Sequence, residues 1–144
     1  MQEYPHHYKV AAEATSDGDV ILSGEGVCDI VSAPPKEFDG PGDKWSPESL
    51  LVASVADCFI LSFRGVARAS KLPWVSLQCE VVGTLERSEG VTKFTFFLVR
   101  ATLEVPEEIK SERAHRILEK AEKSCLITNS LSAETHLEAA VNTV

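Results

Sequence analysis

Positive charge is scarce in this sequence. Its 144 residues carry 14 Lys and Arg against 22 Asp and Glu, a formal net charge of -8. So acidic a surface argues against nucleic acid or anionic lipid as a main partner, because both need a cationic footprint. Uninterrupted apolar runs are missing too. The longest, Leu50 to Phe63, is broken by Ser54, Asp57, Cys58 and Ser62, so no membrane span of about 20 apolar residues is expected. The segment Met1 to Val10 is polar and lacks the apolar centre of a signal peptide, which places the chain in the cytoplasm, where thiols stay reduced. There is no CxxC pair, and His6, His7, His115 and His136 share no ligand spacing, so no metal is expected. Gly40-Pro41-Gly42 lacks the Lys-Ser or Lys-Thr of a phosphate loop, and no cofactor is expected.

What is present fits one domain over residues 1–144. Hydrophobic residues make up 44% and charged residues 25%, enough for a single core and too short a chain for two ordinary ones. The first third reads as short strands. Tyr8, Val10, Ala12 and Ala14 alternate with other residues, Ser16-Asp17-Gly18 turns the chain, and Val20–Leu22 and Val27–Val31 follow. Pro34, Pro35, Gly40, Pro41 and Gly42 mark a loop. Ser46-Pro47-Glu48 opens a helix, with a capping hydroxyl, a proline at the first helical position and an acid at the positive end of the dipole. This helix is predicted to reach about Ser70 and is apolar on nearly every face, so it belongs at a centre rather than on a surface.

Two longer strands come next. Leu77, Cys79, Val81 and Leu85 share one face of the first, and Ser88-Glu89-Gly90 turns into a second whose run Phe94–Val99 suits burial on both faces. Pro106-Glu107-Glu108 is read as opening another helix, with Ala114, Ile117, Leu118, Ala121 and Cys125 on one stripe. Thr135–Val144 is read as a last strand. The order strands, helix, strands, helix, strand predicts an α+β fold with antiparallel sheet.

The four cysteines divide by pattern. Cys79 on an apolar strand face and Cys28 in a short strand read as packed thiols. Cys58 differs: with Ser54, Asp57 and Ser62 it makes a polar stripe down the apolar helix. Buried polar groups cost ~1–3 kcal/mol each without partners. The stripe therefore meets backbone, an Arg, water or a site, and the pattern leaves these open. Cys125 ends an inward stripe, at a separation from Cys58 that the sequence does not fix.

The segment Pro47-Glu48-Ser49-Leu50-Leu51-Val52-Ala53-Ser54-Val55-Ala56-Asp57-Cys58-Phe59 resembles the first motif of the OsmC/Ohr family of thiol-dependent peroxidases, and Lys123-Ser124-Cys125-Leu126-Ile127-Thr128-Asn129-Ser130-Leu131 resembles the second. The likeness runs from about Tyr8 to Val144. It implies antiparallel sheets wrapped around a long central helix in an intertwined homodimer, with sites where the chains meet. It also implies reduction of organic hydroperoxides at the expense of a dithiol reductant. By position Cys58 matches the peroxidatic cysteine, Cys125 the resolving cysteine, and Glu48 a glutamate that helps orient an arginine.

Three departures qualify the match. The family's arginine usually comes from the N-terminal strands, yet no Arg precedes Arg64; the earlier cations are Lys9, Lys36 and Lys44. Arg64 points about 240° away from Cys58 round the helix, which leaves Arg100 as a candidate substitute. Asp57 precedes Cys58 directly, where a carboxylate opposes ionisation of the thiol. Leu126 stands where many relatives carry Pro. These departures motivate an alternative: a relative without peroxidase activity that binds a small apolar or thiol-reactive ligand at the dimer interface. Glu48 also lies ~15 Å along a straight helix from Cys58, so it acts only through a helix break, an intermediary or the partner chain.

Overall fold

The computed structural model describes residues Met1–Val144. The chain gathers into two compact units, Met1–Leu51 and Val52–Val144.

In the first unit β1 (Ala11–Glu13), β2 (Val20–Ser23) and β3 (Ile30–Ser32) form an antiparallel sheet in that order. The strands are shorter than the alternation suggested. Gly26 adopts φ 76° and the Val27 N–H closes a turn on the Gly24 carbonyl. Val27 and Cys28 therefore belong to the loop, and Cys28 is exposed rather than packed. All three β1 residues are exposed. Trp45 is exposed and bridges Ser32 through its backbone.

Helix α1 (Pro47–Ala69) has the bounds its cap predicts. The Ser46 hydroxyl accepts the Ser49 N–H at 3.0 Å, and the Ser49 hydroxyl accepts the Ser46 N–H at 2.9 Å. This is a reciprocal cap with serine in the place of the usual Glu or Gln. At the far end Lys71 takes φ 54°, and the Leu72 N–H reaches the Ala67 carbonyl at 2.9 Å. Arg113 donates to the carbonyls of Ser70 and Lys71 at 2.9 and 3.3 Å. Carbonyls left without helical partners are thereby satisfied. Over its whole length α1 is apolar enough to cross a bilayer, more so than the interrupted run Leu50–Phe63 suggested. Only Val55, Phe59, Phe63 and Ala67 are fully buried, a single stripe.

In the second unit β4 (Ser76–Ser88), β5 (Val91–Val105) and β6 (Glu134–Thr143) form one sheet with β5 central. Glu89 and Gly90, at φ 52° and 80°, make the β4–β5 turn, as a two-residue hairpin loop requires. Phe97, Val99, Ala101, Leu103 and Val105 point to the core, while Arg100 faces out and pairs with Glu80 and Glu138 on the flanking strands. Gly83 leaves room for Val52 of α1: a Cβ there would lie 2.9 Å from the Val52 Cγ2.

The α+β class stands, with one revision. β6 pairs with β5 in parallel, so the sheet is mixed. A parallel neighbour needs a crossover, and α2 (Ser111–Lys123) supplies it, packing against β6 with Ala114, Ile117, Leu118 and Ala121 buried. α2 begins later than predicted. Pro106–Ile109 is a turn closed by the Ile109 N–H on the Pro106 carbonyl at 3.0 Å. A one-turn helix, α3 (Leu126–Asn129), follows Cys125.

Candidate functional site

The polar stripe of α1 opens onto a cavity of about 430 Å³ lined by Ser54, Asp57, Cys58, Leu61, Ser62, Leu126 and Ile127. Two elements build it: α1 supplies the stripe and the α2–α3 junction closes over it. Cys125 is the residue before α3, only 2% exposed, while Leu126 at the rim is 65% exposed. All four cysteines are free thiols.

The two thiols lie near each other without a disulfide. Cys125 donates a hydrogen bond to the Cys58 sulfur, and the Ser62 hydroxyl lies 3.8 Å from the same atom. Burial pushes the Cys58 thiol up. Hydrogen bonds from the Ile127 N–H, the Cys125 thiol, the Ser62 hydroxyl and the Leu126 N–H outweigh it and hold the thiol below its ordinary value. Cys125 moves the other way: burial raises it, and although the N–H and hydroxyl of Thr128 lower it, its donation to Cys58 and the charge there keep it up. Thiolate is the reactive form, so the pair is asymmetric, with Cys58 the more readily ionised of the two. A third thiol faces them. Cys79, half-buried on β4, is pushed up to about 11 by burial and then by the charge of Cys125, which suits the inert role its strand face predicted.

The expected cation is not at this cavity. Arg100, the candidate substitute, is committed to Glu80 and Glu138, because its odd-numbered neighbours Val99 and Ala101 take the core face of β5 and turn it outward. No Lys, Arg or His lines the cavity. Asp57 is exposed and makes no ion pair, so its carboxylate is met by water. The largest of the hydrogen bonds that lower Cys58 comes from a main-chain group, the Ile127 N–H, which side-chain patterns do not advertise.

Glu48 stands in the first turn of α1, which runs unbroken. In the first unit it lines an apolar cavity of about 550 Å³ with Leu22, Ala33, Phe38 and Leu50 among the walls. Its Oε1 is buried there without a hydrogen-bond partner. No three His, Cys, Asp or Glu side chains are grouped to hold a metal.

Comparison with known proteins places this arrangement. YmaD of Bacillus subtilis (strain 168), itself uncharacterized, is 29% identical, with 94% of this chain and 95% of that protein covered. An OsmC-like protein of unknown function from Vibrio cholerae superposes with a TM-score of 0.84 at 18% identity, covering 94% of this chain and 99% of the other. An organic hydroperoxide resistance protein from Legionella pneumophila gives a TM-score of 0.76 at 21% identity, covering 97% and 99%. At such identities the two structures speak for the fold alone. The family model described as OsmC-like protein matches residues 40–140. A match across that much of the sequence, spanning both Cys58 and Cys125, makes this chain a member of the OsmC-like protein family.

Proposed function

We propose that the protein is a two-cysteine peroxidase that reduces organic hydroperoxides in the cytoplasm as part of oxidative-stress defence. The observation that carries this reading is the pair of unequal, interacting thiols, with Cys58 at the cavity and Cys125 buried behind it. The Cys58 thiolate attacks the outer oxygen of ROOH and the O–O bond breaks. The alkoxide leaves with a proton as ROH, and Cys58 becomes a sulfenic acid. Cys125 then attacks that sulfur, releasing water and forming the Cys58–Cys125 disulfide. A dithiol donor returns both thiols by exchange and leaves as its own disulfide. In sum, ROOH and a dithiol give ROH, water and a disulfide. Leu61, Leu126 and Ile127 supply apolar wall at the mouth, which favours an organic substituent over a water-like one. The Legionella protein of the same fold, named for organic hydroperoxide resistance, supports the reading.

The working form on this reading is a homodimer. α1 buries one stripe and leaves Leu61 and Leu126 exposed beside it, and β1 is bare. Glu48 of one copy then stands beside Cys58 of the other, which gives its orphaned oxygen a polar neighbour. The test is consumption of cumene hydroperoxide with dithiothreitol as donor. Wild type is expected to turn over and Cys58→Ser to be inert; equal inertness of both ends the reading.

A second reading follows from the cavity's lack of a cationic side chain: a relative that binds a small apolar or thiol-reactive ligand without reducing peroxide. Intact mass after one equivalent of peroxide separates the two. Loss of about two hydrogens marks the disulfide and excludes the binder; an unchanged mass excludes the peroxidase.

A further inference from the structure

Glu48 is an acid that the start of α1 leaves without donors. The helix dipole favours a negative charge in the first turn, but the donors beside this one are committed elsewhere. Pro47 has no N–H. The Ser46 N–H donates to the Ser49 hydroxyl at 2.9 Å, the Ser49 N–H to the Ser46 hydroxyl at 3.0 Å, and the Leu50 N–H to the Ser46 carbonyl at 2.8 Å. The Ser46 hydroxyl donates to the Ser49 hydroxyl at 3.1 Å, and that hydroxyl donates to the Ser46 carbonyl at 3.2 Å. Glu48 Oε1 is thus buried with no hydrogen bond, and the carboxylate enters no ion pair. A buried polar atom in that state calls for an explanation.

The same side chain lines the cavity of about 550 Å³ in the first unit, a volume within the roughly 300–1,000 Å³ of small-molecule sites. Leu22, Phe38 and Leu50 make its walls apolar, and the buried Ser32 is the one other polar residue there. No Lys, Arg or His lines it. An unpaired acid in an apolar wall favours an occupant with an apolar body and one positive head, which meets both demands at once. An ammonium suits best, because it has three donors and no acceptor, while a carboxylate only accepts. The net charge of -8 raises the local concentration of cations and opposes anions. A thiol of a second copy, the neighbour proposed above, brings no positive charge. We infer that this cavity binds a small organic ammonium, its hydrocarbon body against Leu22, Phe38 and Leu50 and its head on the Glu48 carboxylate. The inference goes beyond the peroxidase reading, since it uses no thiol.

Three probes of similar shape test it: phenethylammonium, phenethyl alcohol and phenylpropanoate. Each is titrated into the full chain at neutral pH while the methyl resonances of Leu22 and Leu50 are followed by NMR. The ammonium is expected to shift both saturably and to bind about tenfold more tightly than the alcohol, the difference between a charged and a neutral hydrogen bond. Phenylpropanoate is expected not to bind. Glu48→Gln keeps the shape and removes the charge, and is expected to bring the ammonium down to the affinity of the alcohol. Equal affinities for ammonium and alcohol in wild type overturn the inference without need of a variant. A preference that survives Glu48→Gln, or shifts confined to residues outside the cavity, trace the effect to the acidic surface and overturn it too. So does the absence of saturable shifts with any probe, the result if a second copy of the chain fills the cavity. Turnover of cumene hydroperoxide is scored separately. Ammonium binding without turnover ends the peroxidase reading and keeps the site, whereas turnover without a preference for the ammonium ends the site and keeps the peroxidase.

Discussion

Gly83→Ala is the sharpest probe of how the fold holds Cys58 in place. An added Cβ would lie 2.9 Å from Val52 Cγ2 and 3.0 Å from Cε1 of both Phe94 and Phe97. None of these atoms is the loose end of a flexible chain. Val52 is β-branched in a helix and stiff at χ1. The two rings stack at 5.3 Å between centroids, and Phe97 is fully buried. Overpacking of this kind costs ~1–3 kcal/mol. Opposing it, replacing Gly by Ala restricts the unfolded chain and contributes ~0.4–1 kcal/mol of stability. The clash outweighs it over nearly all of these ranges, leaving a net loss of up to about 2.6 kcal/mol. Urea unfolding at fixed protein concentration measures it as a lowered midpoint with an unchanged slope. Val52 lies on the helix that carries Cys58, so the Cys58 alkylation midpoint should move in the same variant. A Gly83→Ala protein as stable as wild type or more so would refute the seating of α1 on β4 through this position.

Two further outcomes follow from the caps and the thiols. Lys71→Gly should stabilise the protein by up to ~1 kcal/mol, since Lys71 holds φ 54° where only glycine is free of a Cβ conflict, and the Arg113 contact uses a backbone carbonyl that glycine keeps; a lowered thermal midpoint contradicts this. Cys79 is pushed up to about 11 in the folded chain from 9.0, so between these values the unfolded chain has released a proton that the folded chain still holds. Stability is then fully present below pH 9 and falls as pH rises toward 11. Cys79→Ala should flatten that fall in urea midpoints taken at pH 8, 10 and 11; an identical slope contradicts it.

The sequence showed some features of this site plainly and hid others for physical reasons. α1 was readable because a hydroxyl, a proline and an acid in a row all favour the same helix start, and the inward stripe of α2 was readable because burial imposes its period. The direction of β6 was not, since a strand's own alternation is the same whether its neighbour runs with it or against it; only the crossover through α2 decides. Pro106 suits a helix start and a turn equally, and here it makes the turn. Arg100 looked available because it sits in an apolar strand, but alternation sends it to the outer face. Cys58 and Cys125 were marked by their stripes, whereas the N–H groups of Leu126 and Ile127 are present in any sequence and become chemistry only through where the junction places them.

The parallel docking of β6 has a consequence for biosynthesis. α2 finds its place against a strand that begins at Glu134, downstream of Cys125. While the ribosome still holds that segment, the crossover has no edge to lie on, and the first sulfur waits without its companion. On the proposed two-cysteine reading, a nascent chain meeting oxidant in that interval would have nothing to intercept a Cys58 sulfenic acid, and the newly made protein would be more vulnerable to irreversible overoxidation than the finished one.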